Sequence, residues 1–191
     1  EGEDGEAATV SVGTVTTGEP GSNAQVTNSG TENAAVLNFT IPRGATGGSS
    51  PIQLLSAYST PPQTGSGQTA LIFDRNALVY GSAVSHANNS PNITINQAGV
   101  YTLSFNGGFA PGSNVNFPLN VLTVAKLNGV TVPGAATQQS FHTSSDVVNQ
   151  SFNVPIAVST VPATLQIVST GTAFLYSNIQ VSLFRNGDIP T

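Results

Sequence analysis

The stretch from Gly99 to Phe105 constrains the fold most. Tyr101, Leu103 and Phe105 alternate with Thr102, Ser104 and Asn106, so a strand here carries one apolar and one polar face. Gln97-Ala98-Gly99 before it reads as a tight turn, and Gly107-Gly108 is expected to end it. It lies inside Ala70 to Gly129, which runs ALIFDRNALVYG, ITINQAGVYTLSFNGGF and VLTVAKLNG. A strand with one apolar face needs a second layer to cover that face, so this one is expected to form the inner wall of a β-sandwich.

The surroundings agree with that expectation. Short alternating runs are predicted as strands at 52–59, 70–73, 77–84, 92–96, 99–105, 121–127, 151–158, 164–169 and 178–184. Turn residues separate them at intervals suited to sandwiches and barrels, and no stretch holds helical periodicity. Pro155 has no N–H to donate, so its strand is expected to lie at a sheet edge or to pair on one side only at that residue. Asn128-Gly129 is a hairpin signal. Two polar stretches, Tyr58–Gln68 and Ala136–Gln150, read as surface loops, as do Ser85–Pro91 and Ala110–Phe117. About nine or ten short strands point to a jelly roll, and a domain of that size can bury a core.

Ahead of this domain lies a small unit. TVSVGTVTTG sets Val10, Val12 and, past Gly13, Val15 in alternation, and AVLNFTI does the same with Leu37, Phe39 and Ile41. Glu19-Pro20-Gly21-Ser22 and Asn28-Ser29-Gly30-Thr31 are turns. About three strands in so few residues cannot bury a core alone, since chains below roughly 40 residues need a partner or a staple. The sequence has no Cys to supply a disulfide, so another copy of the unit is the expected staple. Flanking it, Gly2 and Gly5, and Gly44 and Gly47, are spaced as in collagen-like triplets. Spacing alone favours two flexible joints. A collagen-like stalk running into Glu1 is the alternative. The expected organisation is therefore a stalk end at 1–8, a small β-rich trimeric stalk module at 9–47, a hinge at 48–51 and a jelly-roll head at 52–191.

Composition limits the chemistry. Only 7% of the 191 residues are charged, against roughly 25% in ordinary domains. Four basic residues, Arg43, Arg75, Lys126 and Arg185, cannot make a phosphate-tracking patch, which argues against nucleic acid. No apolar run approaches the roughly 20 residues of a membrane span. The first residue is not Met and no signal peptide is recognisable, so Glu1 is expected to be internal to a longer chain.

The order of motifs resembles the complement one-q and tumour-necrosis-factor-like jelly roll. ALIFDRNALVYG resembles the opening of that head, ITINQAGVYTLSF its aromatic strand, and VLTVAKLNGVTVPGA the next strand and turn. FNVPIAV, ATLQIVSTG and SNIQVSLF resemble the closing strands, so the likeness covers roughly residues 52–184. Val100 stands where a second aromatic is usual, and the cysteines of some animal members are absent. The polar, Cys-free composition looks most like the C-terminal heads of bacterial exosporium collagen-like glycoproteins (BclA-like). GTVTTGEPG and VTNSGTENAAVLNFTIPRGATG resemble the module flanking collagen-like repeats in such proteins and in phage fibres. The resemblance implies an all-β jelly-roll homotrimer in which the sheet holding the aromatic strand and the last strand faces the threefold axis. Carried onto this chain, Tyr101, Phe105 and Leu183 are candidates for that axis or for the ordinary core.

No catalytic set is expected. His86 and His142 stand 56 positions apart without a metal-ligand spacing. His142, Asp146 and a serine could be assembled on paper, but nothing resembles a nucleophile elbow. Calcium could take oxygens from Asp74 or Asp188 with Asn side chains, though nothing fixes such a site. Four Asn-X-Ser/Thr matches, at Asn38, Asn88, Asn92 and Asn149, read as chance in an Asn-rich chain. No cofactor or metal is expected. The function expected is a trimeric, structural and adhesive head that binds a surface glycan or host receptor, extracellular on a spore or cell surface. A bacteriophage receptor-binding head is the alternative. A glycan-active enzyme ranks below both, because from Ile52 onward the chain has only Asp74, Asp146 and Asp188 as acids, and the reaction needs two carboxylates across a cleft.

Overall fold

The computed structural model describes residues 5, 7–44 and 51–190. Gly2, Gly47 and most of the expected hinge lie outside the described residues. The chain divides into two compact units, Glu1–Ser49 and Ser50–Thr191.

Unit 1 is one three-stranded sheet: β1 (Thr9–Gly18), β2 (Gln25–Asn28) and β3 (Ala34–Pro42), in the order β1-β3-β2. β1 runs parallel to β3, and β2 antiparallel. An extra residue in β1 between Val12 and Val15 shifts the register. That bulge keeps Val15 on the face of Val10 and Val12, opposite Phe39.

Unit 2 holds β4 (Leu54–Ser59), β5 (Gln63–Ala70), β6 (Arg75–Tyr80), β7 (Val84–His86), β8 (Ile93–Ile95), β9 (Gly99–Pro111), β10 (Leu119–Leu127), β11 (Val130–Phe141), β12 (Val148–Val158) and β13 (Ala163–Gly187). These make a jelly-roll sandwich of two layers. The front layer runs β6-β4-β13-β9-β12, using the second half of β13. The back layer sets the first half of β13 between β10 and, on its other side, β8 and β5; β11 lies outside β10 and β7 outside β8. β13 thus crosses from one layer to the other, and Phe174, Leu175 and Tyr176 pair with β5 and β9 at once. The inner faces of β9, β4 and β13 bury Tyr101, Leu103, Phe105, Phe109, Leu55, Val181 and Leu183 against Val121, Ala125, Leu165 and Ile167 of the back layer. Pro155 lies on β12, which pairs only with β9, so the strand that holds it is an edge strand of the front layer.

Several local expectations are corrected. Gly107-Gly108 does not end the aromatic strand, because β9 continues to Pro111. A Cβ on Gly107 would lie 2.6 Å from Ile179 Cγ2. The glycine therefore permits close approach of β13, which bulges at Asn178 (φ 49°). The 164–169 and 178–184 segments are one strand, not two. Ala136–Gln150 is not a loop: it is the end of β11 and the start of β12, joined at 142–147. Its polar residues sit on an edge strand that is largely exposed, so no apolar alternation marks it. Tyr58–Gln68 likewise belongs to β4 and β5, with the turn confined to 60–62. The 77–84 run breaks at Gly81 (φ 74°) into β6 and β7. Past Ala70 the regular ladder stops, with Leu71 N–H still donating to the Ile167 carbonyl at 2.8 Å and Phe73 bridging to Ser90. The Asn128-Gly129 hairpin has both residues at positive φ, 49° and 82°, which gives the type I′ twist that joins β10 to β11.

Candidate functional site

The front layer supplies the candidate site, and its two faces differ. Tyr101, Phe105 and Leu183 point inward, with 0%, 2% and 0% of their surface exposed in the single chain. Phe105 packs on Phe152 with ring centroids 5.3 Å apart. The Tyr101 hydroxyl donates to the Gln97 carbonyl at 2.6 Å, and burial pushes its pKa up against the opposing pull of Arg185. All three residues thus pack into the core of their own chain.

The outer face is built from the alternate residues, and strand register arranges them in rows. Tyr80, Leu54, Phe184, Thr102 and Pro155 form one row across all five strands. Leu78, Ser56, Ser182, Ser104 and Asn153 form the next, and Tyr58, Gln180, Asn106 and Ser151 follow. The centre is small and hydroxylated. Ser182 Oγ donates to Ser56 Oγ at 3.2 Å, Gln180 donates to the same oxygen at 3.1 Å, and Asn153 donates to Ser104 at 3.0 Å. No charged residue stands in the first two rows. Their apolar members remain open: Leu78 is 48% exposed, Tyr80 54% and Phe184 42%. Sequence reasoning missed these three. The signal was Leu78-Val79-Tyr80, an apolar run in a strand that leaves neither face polar.

At one end of this face Tyr58, Thr60, Asn106, Asn178 and Gln180 line a groove. Arg75 lies 5.6 Å from the centre of the Tyr58 ring and pairs with Asp74 at 3.1 Å. Asp74 Oδ1 is buried without a hydrogen-bond partner. The same end of the sandwich carries the 60–62, 112–118 and 142–147 connections. Register fixes this, since Tyr176 pairs with Gln63 and Phe109, Val148 with Phe109, and Leu119 with Phe141. β4 begins at the opposite end, beside Phe184 and Thr102. Three of the four segments expected as loops therefore meet at the end remote from where the chain enters the unit.

The remaining polar candidates have structural partners. His86 sets Nδ1 2.7 Å from Asn76 Oδ1 and Nε2 3.0 Å from the Ser90 carbonyl, with its ring edge-on to Phe73. This ties the 87–92 connection to β6. Asp146 accepts from the backbone N–H groups of His142 and Thr143 and from the Thr143 hydroxyl, at 2.7, 3.0 and 2.7 Å. Those bonds, led by the His142 N–H, hold its pKa below the usual carboxylate value. Asp146 thus closes the 142–147 turn through the His142 backbone. Asp188 pairs with Arg185, whose guanidinium also donates to the Ala98 carbonyl at 2.8 Å. Among the described residues no group of three or more His, Asp or Glu could hold a metal ion. Among them, too, no helix is long and apolar enough to cross a membrane.

No protein-family model and no curated protein matches the sequence. Solved structures do match the fold. The structure of Eiger TNF from S. frugiperda superposes with a TM-score of 0.51 at 11% identity, covering 74% of this chain and 97% of that one. The crystal structure of murine APRIL at pH 5.0 gives a TM-score of 0.51 at 12% identity, covering 70% of this chain and 99% of that one. At such identities the likeness establishes a tumour-necrosis-factor-like jelly roll and nothing finer.

Proposed function

We propose that unit 2 is the homotrimeric head of a collagen-like surface fibre, extracellular on a spore or cell, and that it works by adhesion rather than catalysis. One observation carries the reading: the first two rows of the outer face of the front layer are uncharged, and Leu78, Tyr80 and Phe184 are open on it. Three copies around an axis would cover the first two rows of that face and leave the third row, at the remote end, open. The front-layer residues at the axis are then the outward Phe184, Ser182, Thr102 and Ser104, while Tyr101, Phe105 and Leu183 hold the wall rigid from behind.

The adhesive role falls to the end remote from chain entry. Its groove offers an aromatic ring, Tyr58, beside the amides of Asn106, Asn178 and Gln180. Sugar hydroxyls pair with amides of this kind, and a sugar's apolar face stacks on a ring. Light scattering on the purified chain should return about three chain masses; a folded monomer would overturn the trimer. A glycan screen, repeated with Asn106→Ala, tests adhesion. Binding that this substitution leaves unchanged removes the groove from the reading.

A further inference from the structure

Unit 1 has a sheet but no second layer. None of its described residues is buried. Its two faces are sharply unlike. One face carries Val10, Val12, Val15, Val26, Leu37, Phe39 and Ile41, aligned by register. Val10 is 71% exposed and Ile41 55%. The other face satisfies itself: Asn38 accepts from the Thr14 N–H at 2.8 Å and donates to Ser29 at 2.9 Å, and the Thr16 and Thr40 hydroxyls meet at 3.1 Å. β1, β2 and β3 contain no charged residue. The β1 bulge preserves the apolar face rather than disrupting it.

We infer that this face is an interface between three copies of the chain, which close unit 1 into a three-walled β-prism with an apolar interior. The number of copies follows from dimensions. A wall of three strands is about 14 Å wide at roughly 4.8 Å per strand, and a triangle of that side keeps its walls about 4 Å from the axis. That is close to half the roughly 10 Å spacing of packed sheets, so one layer of Val, Leu and Phe fills the interior. In a prism the open edges β1 and β2 of neighbouring copies also meet. Such a head-to-tail contact closes into a ring under threefold rotation. A two-chain sandwich would cover the faces but leave both edges open. The inference shares the threefold symmetry proposed for unit 2 but rests on separate residues.

The chain has no cysteine, so one introduced thiol reports cleanly. In the full chain, Leu37→Cys places a thiol on the apolar face of the central strand, and Val36→Cys places one on the opposite face. A short trifunctional maleimide should give a denaturant-resistant three-chain band with Leu37→Cys and little with Val36→Cys. Val15→Cys repeats the test should Leu37→Cys fold poorly. Cross-linking that is absent at both apolar positions, equal on both faces, or limited to two chains overturns the prism. The readings of the two units separate. Three chain masses in light scattering without cross-linking at Leu37→Cys would sink the prism and spare the head. Three-chain cross-linking that survives in a background of Leu78→Asp and Phe184→Asp shows that unit 1 assembles without the head interface.

Discussion

The sandwich encloses one buried polar cluster, and removing its members should cost more singly than together. Thr123, Gln150 and Ser169 are each fully buried. The Thr123 hydroxyl donates to Gln150 Oε1, the Ser169 and Thr123 hydroxyls meet at 2.8 Å, and Gln150 Nε2 donates to the Val121 carbonyl at 2.9 Å. Gln150 lies on β12 of the front layer, and the others on β10 and β13 of the back, so the cluster ties the layers together. Gln150→Leu strands two groups. The Val121 carbonyl loses its side-chain donor, and one hydroxyl of the Thr123–Ser169 pair loses its acceptor. At about 1–3 kcal/mol per buried orphan, partly offset by the apolar side chain, the single variant should lose about 2–3 kcal/mol. Thr123→Val strands Gln150 Oε1 and the Ser169 hydroxyl, and should cost about the same.

The triple variant Thr123→Val, Gln150→Leu, Ser169→Ala removes every side-chain partner together. Replacing all partners by apolar groups of similar shape is nearly neutral, so only the Val121 carbonyl counts against it and the triple should lose about 1 kcal/mol. Urea unfolding at one fixed protein concentration measures this, because an oligomer's midpoint moves with concentration. With a slope of about 2 kcal/mol per molar, Gln150→Leu should lower the midpoint by about 1 M and the triple by about half that. Single losses that simply add in the triple would refute the reasoning, because the cluster would then not act as a unit.

Phe184→Asp with Leu78→Asp puts two charges on the proposed head interface, so light scattering should show loss of head-mediated trimers while circular dichroism keeps its β signature. Gly129→Ala should cost about 1 kcal/mol or more in urea unfolding, since φ there is 82° and an L side chain is strained in that conformation. Asp146→Asn should destabilise the chain at neutral pH. Because the folded carboxyl titrates below its ordinary value, its contribution is complete above that value and vanishes as pH falls through the lower one. Acid titrations of variant and parent should therefore converge at low pH. Tyr101 titrates above its ordinary value, so the stability linked to its neutral phenol is present below about pH 10 and lost as alkali passes the folded value. Tyr101→Phe should flatten that alkaline loss.

The layers were legible in the sequence wherever a strand was buried on one face only. Tyr101, Leu103 and Phe105 give the alternation, Pro155 marks an edge, and Asn128-Gly129 marks a turn; each reflects a local constraint. What escaped is tertiary. β11 is an edge strand whose Thr137, Gln138, Gln139 and Ser140 need no apolar face, so its pattern is that of a loop. β13 passes between layers through Thr170-Gly171-Thr172, and those residues look like a turn because they face different neighbours on either side. Gly107 reads as a breaker until Ile179 is seen packed against it.

The candidate site was harder to read for a related reason. An apolar residue at an interface and one in the core have the same composition and the same period, so Tyr101, Phe105 and Leu183 look like axis residues in sequence. Register separates them: the residues free to meet a partner are the ones one step away, and on β9 and β13 most of these are Ser, Thr, Asn and Gln. Where both steps are apolar, as at Leu78-Val79-Tyr80 and Leu183-Phe184, the front layer has apolar surface beyond what its own core consumes. Unit 1 is the limiting case. It has an apolar face and no core of its own, so every apolar side chain on its sheet is surplus. Surplus of this kind in both units is the physical reason to seek the missing layer in further copies of the same chain.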